Sequence, residues 1–137
     1  MYTKRTVRLL ERSLQIATTL SFPIENKTNV SCFIYKDSRL ISIGQNNMSV
    51  PNSKAAYFAK RFNVKHWKNF PYLHAEISAI ARLWGKHYIE GKEKMVIVRL
   101  TKSGTGLAKP CDNCSQVLSA LNLNQIYFTD NNSWSKL

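Results

Sequence analysis

A chain of 137 residues, 44% hydrophobic and 11% aromatic, reads as one soluble globular domain, 1–137, long enough to bury a core. No apolar stretch approaches the roughly 20 residues of a membrane span, and the basic start at Lys4, Arg5 and Arg8 leads into a mixed amphipathic pattern, not a signal-peptide core. The formal net charge of +12 calls for an anionic partner, which a mononucleotide and a polynucleotide satisfy equally.

From the N-terminus, Thr3 to Leu20 is predicted helical, with Val7, Leu10, Leu14 and Ala17 at helical spacing. Pro23 to Asn29 is a connection. Val30 to Tyr35 and Leu40 to Gly44 are predicted strands joined by a turn over Lys36-Asp37-Ser38-Arg39. Lys54 to Phe62 fits a short helix between Pro51 and Pro71. His74 to Tyr88 is predicted as an amphipathic helix that buries Ile77, Ile80, Ala81 and Trp84. Met95 to Leu100 follows as a strand, Thr101 to Lys109 as a loop, Cys111 to Leu121 as a helix and Gln125 to Thr129 as a strand. Strands joined through helices imply a mainly parallel portion of sheet with helices on both faces.

His74-Ala75-Glu76 precedes Pro110-Cys111-Asp112-Asn113-Cys114 by 33 residues. This supplies one imidazole, two cysteine sulfurs and one carboxylate. A zinc ion with an open position takes three protein ligands and leaves the fourth for water. His74, Cys111 and Cys114 make three, for one Zn2+ per chain. The i,i+3 spacing sets both sulfurs on one face of a helical turn. Pro110 sits where helices begin, and a helix N-terminus with Lys109 beside it favours thiolate. Glu76 would then work as base and acid, because a fourth ligand would close the site. A structural zinc site and a C-x-x-C redox pair are the alternatives. The first lacks a fourth ligand, since Cys32 lies in an apolar run, and the second leaves His74 and Glu76 unexplained. With two cysteines on a metal, the lone Cys32 points to a reducing, cytoplasmic compartment.

Between Ser38 and Ala75 there is no Asp or Glu, while Arg39, Lys54, Lys60, Arg61, Lys65 and Lys68 all fall inside. Over residues 54 to 72 these cations interleave with Tyr57, Phe58, Phe62, Trp67, Phe70 and Tyr72. Cations beside base-stacking aromatics are what a single-strand binder needs, although aromatics at such spacing more often build a core or an interface, and charge runs are usually solvated surface. His66 reads as a surface or packed histidine, and Trp134 as a core cap or a subunit contact.

H-x-E followed by P-C-x-x-C is the signature of zinc-dependent nucleobase deaminases. On these residues, together with the hairpin ahead of them, the chain resembles the cytidine/deoxycytidylate deaminase superfamily over most of its length. The resemblance implies a three-layer α/β/α sandwich around a mixed sheet of four to five strands, a zinc-dependent hydrolase, and a homo-oligomer. It implies His74, Cys111 and Cys114 as zinc ligands, Glu76 as proton shuttle, and Ala75 as the backbone N–H that meets the base carbonyl. Gly44-Gln45-Asn46 is similar to the Gly-aromatic-Asn whose Asn contacts the sugar, so Asn46 is either a sugar contact or a turn residue. Ser78 stands where deoxycytidylate deaminases often carry Asn, so their specificity does not transfer. The short tail after Thr129 implies a shortened or missing fifth strand and terminal helix, with a sheet edge completed by another subunit. The expected substrate is a cytosine nucleotide such as deoxycytidylate. The alternative is an editing enzyme acting on single-stranded DNA or RNA.

Overall fold

Thr3 opens the first helix, its Oγ1 accepting the Thr6 N–H at 3.2 Å. In the computed structural model, which describes residues 2–20, 29–51, 53–65 and 72–137, this helix is α1 (Lys4–Leu20). Its buried stripe is Thr6, Leu9, Leu10, Ser13 and Ala17, while Val7 is exposed. The stripe is thus rotated from the one expected through Val7. The cause is a polar contact: Ser13 Oγ donates to Leu9 O and lies 2.8 Å from Tyr35 Oη, so the helix turns this hydroxyl inward.

The strands β1 (Asn29–Lys36) and β2 (Arg39–Gln45) form the expected hairpin, with Asp37 at φ 56° in its turn. A short β3 (Asn47–Pro51) and β4 (Tyr72–Leu73) pair separately and flank α2 (Ser53–Arg61). Then come α3 (Ala75–Leu83), β5 (Lys94–Thr101), β6 (Gly104–Gly106), α4 (Asp112–Ala120), β7 (Gln125–Asp130) and β8 (Ser133–Lys136).

The main sheet has six strands in the order β2-β1-β5-β7-β8, with β6 paired to β5. Only β5 and β7 run parallel; the other pairs in it are antiparallel. The sheet is therefore mixed, and less parallel than the strand-helix alternation implied. The fifth strand expected to be short or missing is β8, hairpinned to β7 through Asn131 and Asn132, both at positive φ.

Helices cover both faces, which is why β1 and β5 are apolar at successive positions and not merely at alternate ones. Phe33, Tyr35, Val96, Val98 and Tyr127 pack with Leu9, Leu10 and Ala17 of α1, and half-buried Trp134 joins them as a core cap. Cys32, Ile34, Met95, Ile97, Ile126 and Phe128 face the other way, towards α2, α3 and α4. This α/β/α sandwich places the first turns of α3 and α4 over the same sheet face.

α3 is shorter than predicted. Trp84 is its C-cap and Gly85 follows at φ +82°, the left-handed geometry that ends helices. Nor is α3 simply amphipathic: every residue from Ala75 to Ile80 is buried, because it lies between the sheet and α2. Gly44 of β2 makes this approach feasible. A Cβ there would overlap the backbone N of Ala79 and O of Ala75. After α3, the carboxylate of Glu93 organises the return to the sheet. It accepts the Glu90 and Gly91 N–H groups at 3.1 and 3.0 Å and sits 3.1 Å from His87 Nε2.

Candidate metal centre

His74, Cys111 and Cys114 stand at helix starts, where local geometry fixes their direction. His74 is the N-cap of α3, extended at φ −85° and ψ 158°. Cys111 is the N-cap of α4, and its Sγ accepts the Cys114 N–H at 3.5 Å. Cys111 is thus outside the helix, and Pro110 precedes the cap instead of occupying the first turn as expected. The two sulfurs still come together, because a capping side chain folds back over the third helical residue. His74 Nδ1 lies 3.4 Å from Cys111 Sγ and 3.3 Å from Cys114 Sγ.

These three ligand atoms lie within 4.8 Å of one another. Zinc bonds of about 2.0–2.1 Å to nitrogen and 2.3 Å to sulfur, at tetrahedral angles, put N and S about 3.5 Å apart. The observed N···S separations match that edge. The donor set, two sulfurs and one imidazole, is the borderline-soft set that zinc prefers. Among the described residues no fourth His, Cys, Asp or Glu joins the cluster.

The electrostatics agree with a cation-ready pair of sulfurs. Cys111 is held down to about 4 by its hydrogen bond from Cys114, with His74 adding to the effect against burial. Cys114 is pushed well up by donating that bond and by burial. The His74 imidazole is raised chiefly by its contact with Cys111.

Glu76 is buried in the first turn of α3, 5% exposed. Burial raises its carboxyl pKa and the charge on Cys111 adds to this, while its own backbone N–H and His74 oppose them. Cys32, also buried nearby, is not part of the cluster; burial and then Glu76 push its thiol well up.

A cavity of about 280 Å³ opens on this cluster, lined among others by His74, Ala75, Glu76, Cys111, Asn46 and Arg99. All the expected site residues except the buried Cys114 line it. Asn46 also closes the end of the β1–β2 hairpin: its Oδ1 accepts the Val30 N–H at 3.1 Å and its own N–H donates to Val30 O. The turn role and the cavity position are therefore combined in one residue. Sequence reasoning missed Arg99. The signal was present in Met95-Val96-Ile97-Val98-Arg99, where a cation takes the face that Met95 and Ile97 give to the core.

Among the described residues, none of the basic aromatic stretch lines this cavity. Phe58 is buried, and it and Phe62 pack edge-on against Trp84 at 5.1 and 5.9 Å. The core reading holds for these two rings, not the stacking one. Tyr57 is half-exposed, and Lys54, Lys60, Arg61 and Lys65 lie on the surface. His66, Trp67, Lys68 and Phe70 lie outside the described residues, as does the side chain of Tyr72. No described helix is long and apolar enough to cross a membrane.

Several solved structures share this fold, two of them as follows. The apo dCMP deaminase of cyanophage S-TIM5 aligns over 94% of this chain and 86% of its own, at 16% identity and TM-score 0.57. The cytidine deaminase of Burkholderia pseudomallei aligns over 98% and 93%, at 17% identity and TM-score 0.57. No curated protein sequence matches the chain. The family described as the cytidine and deoxycytidylate deaminase zinc-binding region matches residues 3–130. With both cysteines and the histidine of a zinc site brought together inside that match, the chain belongs to this family of zinc-binding, hydrolytic deaminases.

Proposed function

We propose that the protein converts cytosine to uracil in a (deoxy)cytidine nucleotide such as deoxycytidylate. One observation carries the reading: a buried carboxyl, Glu76, lines the same cavity as His74 and Cys111, whose ligand atoms converge with that of Cys114 within 4.8 Å. His74 Nδ1, Cys111 Sγ and Cys114 Sγ would hold one Zn2+, which would supply a water acidified enough to lose a proton near neutral pH. Glu76 takes a proton from the attacking water and passes it to the ring nitrogen. It then carries the second proton to the amino group, which leaves as ammonia while the C4 carbonyl forms. A raised pKa suits both halves of this cycle, because the carboxyl must accept and release protons near neutrality. Ala75, in the first helical turn, has an N–H with no acceptor within its helix, and it meets the base carbonyl. Asn46, on the cavity wall, meets the sugar.

The three free cysteines favour a reducing compartment, and we place the protein in the cytoplasm as one domain spanning 1–137. A homo-oligomer is the expected assembly. The second reading, a polynucleotide-editing enzyme, draws on the net charge of +12 and the half-exposed Tyr57 beside surface lysines. With Phe58 and Phe62 in the core, its stacking platform is reduced.

The test is a deamination screen by mass spectrometry on zinc-loaded protein with nucleosides, their 5′-monophosphates and short single strands. Monophosphate turnover is expected. Conversion of oligonucleotides alone would replace the first reading with the second. Glu76→Ala should keep its zinc and lose about 10³-fold or more in turnover, the scale of a removed acid–base group. Loss of the metal from that variant would mean Glu76 has been given the wrong role.

A further inference from the structure

Arg99 has an unusual position for a cation. On β5 it continues the face that Met95 and Ile97 turn towards α2, α3 and α4, and it pairs across the sheet with Val30. Val30 and Arg99 both line the metal-centre cavity, and Asn46, bonded to Val30, continues the same wall. The Arg99 backbone is tied down, its N–H donating to Thr129 Oγ1 at 3.0 Å while that hydroxyl donates to Gly106 O at 2.8 Å. The side chain passes across the β5–β6 pairing beside Gly106, where an added Cβ would sit 3.5 Å from Arg99 Cδ.

The head of this side chain is under-used. A guanidinium has five N–H donors. Here one long bond is seen, from Nη1 to Leu107 O at 3.5 Å. Among the described residues Arg99 forms no ion pair, and neither does Lys109, the second cation lining the cavity. Among the described residues Glu76 is the only carboxylate lining the cavity, and it is buried. A half-buried arginine with no carboxylate partner among the described residues, on a central strand and sharing its cavity with a second cation, is suited to bidentate recognition of phosphate.

We propose that Arg99, assisted by Lys109, binds the phosphate of the substrate and so determines specificity for a nucleotide over a nucleoside. This rests on the reading of the cavity as a cytosine deaminase site. A phosphate monoester comes from a free nucleotide and a diester from a polynucleotide, so both enter the experiment.

The variants are Arg99→Met and Arg99→Lys, assayed as zinc-loaded protein on deoxycytidine, deoxycytidylate and a short single strand. The readout is the ratio of kcat/KM for the phosphorylated substrate to that for deoxycytidine. In Arg99→Met this ratio should fall at least about tenfold, the effect of losing one charged hydrogen-bonded contact. Arg99→Lys should restore part of it. A fall confined to deoxycytidylate identifies the monoester, and one confined to the strand identifies the diester. Equal losses on all substrates would overturn the proposal, since a mere strut to Leu107 would behave that way. Inorganic phosphate on the unmodified protein provides a second measurement, independent of whether the variants fold. It should raise KM for the phosphorylated substrate and not for deoxycytidine, and the absence of that difference also overturns the proposal. Failure of the unmodified protein to deaminate any cytosine substrate would instead defeat the underlying reading.

Discussion

Gly44→Ala tests whether the metal centre depends on the close seating of α3 against the hairpin. The new Cβ would overlap Ala79 N and Ala75 O and lie 2.8 Å from Ala79 Cα. Restoring an ordinary contact of about 3.5 Å to Ala79 Cα alone requires the backbones to separate by about 0.7 Å, and the overlaps with Ala79 N and Ala75 O require more, about 1 Å. Every clashing atom is main chain, so no side chain can rotate away, and the whole first turn of α3 must shift. That turn carries Glu76 and begins at His74, whereas Cys111 and Cys114 are held by α4. The strain from overpacking should cost about 2–3 kcal/mol. At about 4 °C per kcal/mol, Tm should fall by about 8–12 °C. A displacement approaching 1 Å should also cost about 100-fold in kcat. The assays are thermal unfolding, zinc content by elemental analysis, and turnover on deoxycytidylate. If Gly44→Ala unfolds within about 2 °C of the parent and keeps its zinc and activity, the seating argument is wrong.

The Glu93 carboxylate provides a pH test remote from the metal. Burial raises its pKa, but the hydrogen bonds from His87 and the Glu90, Glu93 and Gly91 N–H groups outweigh this and hold it below the usual 4.5. Its stabilising effect is therefore complete above about 4.5 and disappears as pH falls through the lower folded value. Glu93→Gln should lower Tm at neutral pH by about 4–8 °C, for about 1–2 kcal/mol. The gap should close in acid, and a gap that stays constant with pH would contradict this account. For the aromatic stretch, Phe58→Ala should cost about 3–5 kcal/mol in urea unfolding, against about 0.5 or less for the half-exposed Tyr57→Ala. A Phe58 variant of unchanged stability that loses oligonucleotide binding would return that ring to the stacking role.

Local patterns were legible where local physics decides. The hairpin at Asp37, the helix α1 and, to within one residue, the start of α4 follow from turn chemistry and periodicity. Errors arose where a distant contact overrode a local pattern. Val7 yielded its place in the buried stripe because Ser13 seeks Tyr35, 22 residues away. The predicted helix to Tyr88 ran past Gly85, a stop that periodicity alone does not weigh. β8 was missed because Ser133 to Lys136 has little alternation of its own and is held by pairing with β7.

What the amino-acid order determined without help was the chemistry: a ligand set of one histidine and two cysteines, and a carboxylate two places from the first. Tertiary structure alone decided that residues 74, 111 and 114 meet within 4.8 Å, and that Arg99 joins their cavity. The reason is strand order. The antiparallel pairing of β1 with β5 brings Val30 beside Arg99, and the parallel step from β5 to β7 sets α4 over the same face as α3. Such neighbours are chosen by which apolar faces can be covered together, and no window of sequence contains both partners.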